Sequence, residues 1–365
     1  MAWRRGRSRA ASGAGGGGRA ALCALCLTCA AFLSAAAPAA ATRGYITSDT
    51  TLGYIETDTF QTGSIGNVSE AMVSLGRAPG GTLQGIDLGD ARDQALHTIS
   101  AVTGASTTAG PLLDDGDDDR IFAALSAVRG DGLFATAEIV APASANQLYR
   151  VDPATGAATE RGPSASDGVL VALAGDCQGR LLGVDDTNQL VRVDRADGSW
   201  TAIGGLTPLP LGAIPRALAY DHADERLFLL TDEPKIYEVE PSTGALTPTT
   251  FVPSGTFANV STLAIDGPDA CHTNRSLSLT YNDRRERFTG RLRAAWAPCA
   301  AGEKVVVFRR RPGRDQRVGE ARTNRKGRFA LAEDGRGSYY AKAPRSAGAD
   351  GTCEPVRSQT KRAPQ

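Results

Sequence analysis

The chain is poor in the residues and motifs from which recognisable active sites are built. It has three histidines, His97, His222 and His272, at separations that suggest no metal triad. G-x-S-x-G, G-x-x-x-x-G-K-[ST] and H-E-x-x-H are absent, which removes the usual signatures of a hydrolase elbow, a phosphate-cradling loop and a zinc protease. Gly13 to Gly18 satisfies G-x-G-x-x-G, but no strand–helix unit follows it, so it carries no dinucleotide reading. After residue 41 no apolar run approaches the roughly 20 residues that a membrane-spanning helix needs. Lysine is scarce, with 5 residues, while Ala, Gly and Arg abound, a composition typical of GC-rich bacterial genomes. No catalytic residue is assigned from the sequence.

What is present begins with a leader. Arg4, Arg5, Arg7 and Arg9 precede an uncharged apolar run from Ala20 to Ala36, and Ala39 to Ala41 supply an A-x-A cleavage pattern. Residues 1–41 therefore read as a signal peptide, with a mature start near Thr42 and an uncleaved anchor as the alternative. Four cysteines remain beyond it: Cys177, Cys271, Cys299 and Cys353. An even number in an exported chain reads as two disulfides with three connectivities open. The formal charge of zero hides an asymmetry. Residues 42–275 carry 14 Lys/Arg against 31 Asp/Glu, and residues 276–365 carry 21 against 9. An acidic domain thus precedes a basic one, with a boundary near Cys271 to Ser276.

The acidic part is repetitive. Asn146-Gln-Leu-Tyr-Arg-Val-Asp152 leads into Pro-Ala-Thr-Gly156, and Asn188-Gln-Leu-Val-Arg-Val-Asp194 into Arg-Ala-Asp-Gly198. Lys235-Ile-Tyr-Glu-Val-Glu240 then leads into Pro-Ser-Thr-Gly244. Each is an alternating strand, a Gly-bearing turn and a Thr-rich second strand. A further strand pair precedes each hairpin, and its corner residues Asp176, Asp221 and Asp266 recur every 45 positions. Four strands in that span is the size of one propeller blade. The pair opened at Thr262 to Asp266 stops after one strand, and Tyr45 to Asp58 begins a blade that lacks its first. Pairing the two ends would complete a fifth blade and leave no sheet edge.

These repeats resemble secreted bacterial β-propellers of the Leu-Tyr-x-Val-Asp, Thr-Gly type over residues 44–268. The repeat count and the orphan strand predict an all-β, five-bladed propeller over 42–268, closed by its terminal strands, with six blades or an open array as alternatives, and the resemblance agrees with the propeller class. It does not imply one activity, because such repeats serve binding, scaffolding and catalysis alike.

After a linker at 269–275, residues 276–365 read as about seven short strands, the pattern of a small Ig-like β-sandwich. Phe288-Thr-Gly290, Gly302 to Phe308, Thr323-Asn-Arg-Lys-Gly-Arg-Phe329 and Tyr339-Tyr-Ala341 resemble transthyretin-like or carboxypeptidase-regulatory-like modules. The resemblance implies a non-catalytic accessory with a Thr-x-x-x-Gly-x-Phe hairpin and a late core Tyr. Cys299 and Cys353 flank the module and are expected to pair, offsetting its small core. Cys177 with Cys271 is the accompanying pair, although the blades carrying them need not be neighbours.

Several clusters have both a chemical and a plain reading. Asp114, Asp115, Asp117, Asp118 and Asp119 offer clustered carboxylates for calcium, but without EF-hand spacing a solvated acidic loop is favoured. Arg309, Arg310, Arg311, Arg314 and Arg317 suit an anionic polymer, such as a cell-wall phosphate polymer. The plain readings there are a solvated face or a patch docked on the acidic domain. Asp176, Asp221 and Asp266 either line one end of the ring or cap their own turns. Arg129-Gly130-Asp131 reads as a turn rather than as an integrin ligand. The chain is thus expected to be a secreted or envelope-associated binding or scaffold protein, with no required cofactor and no membrane span in its mature part. Its partner is an anionic polymer or a protein. The alternative is a lactonase-like or glycan-cleaving hydrolase using converging Asp residues and calcium.

Overall fold

Alternation of apolar and polar residues becomes strand along the whole chain, and the described residues contain no α-helix, only four short 3-10 turns. The computed structural model describes residues 42–89, 93–112, 120–139, 145–162, 168–333, 336–348 and 350–363. The leader and Asp114 to Asp119 lie outside the described residues.

Five antiparallel sheets of four strands each occupy residues 43–264. The first joins Thr262–Ala264, Arg43–Ser48, Thr51–Glu56 and Thr62–Asn67, so the chain's late strand pairs with its earliest, with Ile46 opposite Leu263. The second sheet is Met72–Arg77, Leu83–Asp87, Ala95–Ile99 and Ser106–Pro111. The third runs Arg120–Val128, Gly132–Ile139, Ala145–Val151 and Ala158–Glu160. Leu170–Gly175, Leu181–Asp185, Gln189–Val193 and Trp200–Gly205 make the fourth, and Pro215–Asp221, Arg226–Thr231, Ile236–Val239 and Leu246–Pro248 the fifth. Each is the meander of a propeller blade.

Their apolar faces are buried between neighbours. Leu52, Met72 and Leu83 pack between the first and second sheets, and Leu96, Phe122 and Tyr149 between the second and third. Phe134, Leu173 and Val191 fill the next junction, and Leu182, Leu218 and Tyr237 the one after. Ile46, Ile55, Phe228 and Leu230 join the fifth sheet to the first.

The repeat's Thr-Gly turn has a physical reason. Gly156 and Gly244 both sit at φ +79°, a left-handed backbone that side chains resist. A Cβ on Gly156 would also lie 2.5 Å from the Gly110 carbonyl oxygen of the preceding sheet. In return, a Cβ on Gly110 would lie 2.0 Å from the Thr155 oxygen, so outer strand and turn touch backbone to backbone. Gly204 and Thr243 repeat this contact two sheets further on, between fourth and fifth, at 2.1 Å.

Beyond residue 275 two antiparallel sheets enclose one core. One is Arg275–Asn282, Arg287–Ala294 and Arg328–Ala332; the other is built on Gln316–Arg322, Lys304–Arg309 and Gly337–Ala343. Leu279, Phe288 and Phe329 of the first meet Val305, Val307 and Tyr339 of the second. A third, smaller sheet joins His272–Thr273 to Gly351–Cys353 and Ser346–Gly348.

The segment 269–275 is pinned at several points. Its Cys271 is disulfide-bonded to Cys177, its Thr273 pairs with Cys353, and its Arg275 guanidinium is fully buried. Arg275 bonds Glu303 Oε2 at 3.0 Å and the carbonyls of Pro344 and Glu354.

Candidate functional site

The turns that join first to second strands in the second to fifth sheets all leave one end of the array, and the two-sheet unit sits on that end. Asp176, Asp221 and Asp266 lie there. Asp176 is fully buried and caps its own turn, accepting from the N–H of Gln178 at 2.9 Å and of Arg180 at 2.7 Å. The Arg180 guanidinium closes on its other oxygen. Asp221, also fully buried, accepts from the N–H of Ala223 and of Asp224, each at 3.2 Å, with Arg226 Nη2 at 3.5 Å. Burial raises its pKa. Two of the three carboxylates are therefore committed to local turn geometry.

Asp266 differs. Burial pushes its carboxyl up to about 6, against the pull of the Arg77 guanidinium. Its carbonyl oxygen meets His222 Nδ1, and burial holds His222 down to about 4, so the imidazole is neutral. His222 Nε2 has no partner among the described residues. Arg77, His222 and Asp266 face a cavity of about 30 Å³ whose other walls include Leu75, Leu125, Ser126, Leu218 and Tyr220. That volume holds a water or two and no organic substrate.

Arg129 seals this end. It is among the largest fully buried side chains, and burial lowers its pKa to about 10. Nη1 donates to the Cys177 carbonyl at 2.9 Å and to Thr273 Oγ1 at 2.7 Å, while Nε donates to the Asp350 carbonyl. Its guanidinium lies 3.7 Å from the centre of the Trp296 ring, a desolvated cation–π contact. Gly130 N–H donates to Asp350 Oδ1 at 3.1 Å, and Asp131 pairs with Arg195 at 2.6 Å. Arg129 and Gly130 are thus engaged by the segment around Asp350, and Asp131 by Arg195 within the sheet array.

Cys177 and Cys271 bond with Cα atoms 5.5 Å apart, and Cys299 and Cys353 at 5.4 Å. Of the predicted arginine cluster, Arg309, Arg310 and Arg311 line one groove of about 650 Å³ with Arg336. Arg309 donates to Tyr339 Oη at 2.7 Å, Arg311 to Gln316 at 3.2 Å, and Arg317 is paired with Glu320. Arg310 and Arg314 line the same turn region, and the junction contacts named above use none of the five. Charge opposition between acidic and basic parts does not make this junction, since its buried cation is the acidic domain's own Arg129.

Among the described residues no comparable set of contacts covers the opposite end. Of the six large apolar side chains exposed among the described residues, Leu88, Ile121, Leu211, Ile214 and Val252 lie on connections or strand starts at that end. Beneath them Gln94 ties the second sheet to the third, beside an Asp87–His97 pair within the second. His97 Nε2 meets Asp87 Oδ2 at 2.9 Å, and Gln94 bonds both N–H and carbonyl of Phe122 at 2.7 and 3.2 Å. Neither this latch nor the Arg129 pin has a local sequence signal, because each joins residues whose nearness depends on sheet stacking. Among the described residues no group of three or more His, Cys, Asp or Glu is placed to hold a metal ion.

The architecture is that of a β-propeller carrying a two-sheet unit. No protein-family model matches the chain, and no curated protein matches it. Among solved structures it is similar to XC5397, a gluconolactonase from Xanthomonas campestris, at 13% identity and TM-score 0.38, covering 68% of this chain and 83% of that one. It is also similar to the β-propeller domain of Myceliophteria thermophila Cps50 (Swd1), at 11% identity and TM-score 0.36, covering 70% and 97%. YCF48 bound to D1 peptide is a third, at 11% and 0.29, covering 80% and 88%. At these identities and scores the likeness bears on neither substrate nor partner.

Proposed function

We propose that this chain is an exported, non-catalytic binding protein whose five sheets close as a five-bladed ring and whose recognition face is the end opposite the two-sheet unit. One observation carries the reading: one end is filled by Arg129, Trp296 and the segment around Asp350, while the other gathers the exposed Leu88, Ile121, Leu211, Ile214 and Val252. Exposed apolar side chains on loops held by a rigid scaffold are the usual material of a recognition surface. Closure is supported by pairing of Arg43–Ser48 with Thr262–Ala264 and by the apolar junction of fifth and first sheets. Two disulfides and the leader-like residues 1–41 favour an oxidising compartment outside the cytoplasm. The C-terminal unit acts as a transthyretin-like accessory, with Phe329 and Tyr339 in its core as that resemblance implies.

The test is capture of envelope fractions and of a glycan array by the purified protein, with and without calcium. Calcium-independent capture that is lost in a Leu88→Ser, Leu211→Ser, Val252→Ser triple variant supports the open face. Calcium-dependent hydrolysis of a lactone or glycoside would replace the reading with a hydrolase.

A further inference from the structure

The strongest unpartnered surface in the molecule lies on the outer face of the sheet Arg275–Asn282, Arg287–Ala294, Arg328–Ala332. Strand alternation sends Leu277, Leu279, Phe288, Leu292 and Phe329 inward and leaves the intervening residues outside. Across the three strands Ser278 lies opposite Arg291, and Arg291 opposite Arg328; Thr280 lies opposite Thr289, and Thr289 opposite Ala330. Next come Asn282 and Arg287, the latter opposite Ala332. Every outward position in these rows is hydroxyl, amide, alanine or arginine, and none is acidic. Arg287, Arg291, Arg328 and Arg322 of the neighbouring sheet line one groove of about 540 Å³.

Two features mark this groove as more than a solvated face. Arg291 and Arg328 are direct cross-strand partners, an arrangement of like charges that weakens a sheet. Arg287 Nε is buried and lacks a hydrogen-bond acceptor among the described residues, a cost that an incoming anion would relieve. Arg287 and Arg291 stand four residues apart on one strand, about 14 Å, so the cations form a row along the groove rather than a point.

We infer that this groove binds an extended anionic polysaccharide, its carboxylate, sulfate or phosphate groups seated on the arginines and its hydroxyls on Ser278, Thr280 and Thr289. Guanidinium forks suit such oxyanions in two-toothed pairs. Single-stranded nucleic acid is disfavoured because the only aromatic side chain of the groove, Phe329, is buried and offers no stacking platform. The inference rests on the proposed binding role only in expecting a polymer outside the cytoplasm, and it uses a different surface from the open end of the array.

Immobilised alginate, dextran sulfate, neutral dextran and single-stranded DNA, each probed with the purified protein at low and at physiological salt, test it. Alginate or dextran sulfate should bind with salt-sensitive affinity and neutral dextran should not. An Arg291→Ser, Arg328→Ser double variant should weaken that binding at least about tenfold. Its melting temperature should not fall, because a like-charge pair has been removed. Arg310→Ser, Arg314→Ser should weaken binding less than the groove pair does. Failure of both anionic polysaccharides to bind, undiminished binding by the double variant, or tighter binding to DNA would each overturn the groove. Capture through the open face, read with the Leu88, Leu211, Val252 variant, stands or falls separately.

Discussion

The two ends of the propeller are made from the same repeated strand pair, yet they differ in what their side chains are for. At the covered end, carboxylates and guanidinium groups are buried and spoken for: Asp176 by its turn and Arg180, Arg129 by Cys177, Thr273, Asp350 and Trp296. At the other end Gln94 latches second sheet to third, Asp87 pairs with His97 within the second, and large apolar side chains stand in solvent. Burial has given Asp176 and Arg129 structural partners at the covered end, while His222 Nε2 keeps none among the described residues. The asymmetry comes from the C-terminal segments around Trp296 and Asp350, which bury Arg129 at one end of the array.

The sharpest way to break that comparison is to release the dock. Replacing Cys177 and Cys271 by Ser opens a loop of 94 residues, and loop-closure entropy puts the cost at about 4–5 kcal/mol, read by denaturant unfolding. Next is Arg129→Ala. It strands the Cys177 and Asp350 carbonyls and Thr273 Oγ1 and empties the space over Trp296, for an expected loss of about 3–4 kcal/mol. Arg129→Lys should recover little of it, since an ammonium cannot reproduce a planar fork stacked on a ring. An Arg129→Ala protein as stable as its parent would mean that the covered end is not covered in solution.

A smaller and more informative effect concerns acid. His222 titrates at about 4 in the fold against an ordinary 6.5, so between those values the unfolded chain binds more protons and stability falls as pH drops. Asp266 titrates at about 6 against 3.8, so there the folded chain binds more protons and stability rises as pH drops. The two slopes oppose each other across the window from about 6 to 4, and the parent protein should show little dependence from this pair. His222→Gln should leave a protein that gains stability on acidification. Asp266→Asn should leave one that loses stability, by up to about 3 kcal/mol, over the same interval. Thermal melts at several pH values for both variants decide it. Matching slopes in the two variants would mean that these groups are not buried together.

Much of this was legible in advance. The recurrence of Asp176, Asp221 and Asp266, the Thr-Gly turns and the orphan strand at Thr262 marked meander boundaries that the sheets follow within a few residues. In the C-terminal part about seven short strands are expected, and the two sheets are built on Arg275–Asn282, Arg287–Ala294, Lys304–Arg309, Gln316–Arg322, Arg328–Ala332 and Gly337–Ala343, while the stretch toward Arg362 is only two short strands, Val356–Arg357 and Lys361–Ala363. The arginine run from Arg309 to Arg317 drew attention because it is contiguous. The groove arginines Arg291 and Arg328 did not, because 37 residues separate them and only the register of the sheet sets them side by side. Arg129 reads as a turn residue, because its meeting with Trp296, 167 positions on, depends on tertiary packing.

Local pattern, then, determined by itself which segments are strands, where turns fall and which faces are apolar, since strand alternation and left-handed glycines act within a few bonds. Tertiary structure alone decided which end of the array is closed, which carboxylates have partners and which arginines are neighbours. Those outcomes depend on burial and cross-strand register, and both join residues through space that the sequence keeps far apart.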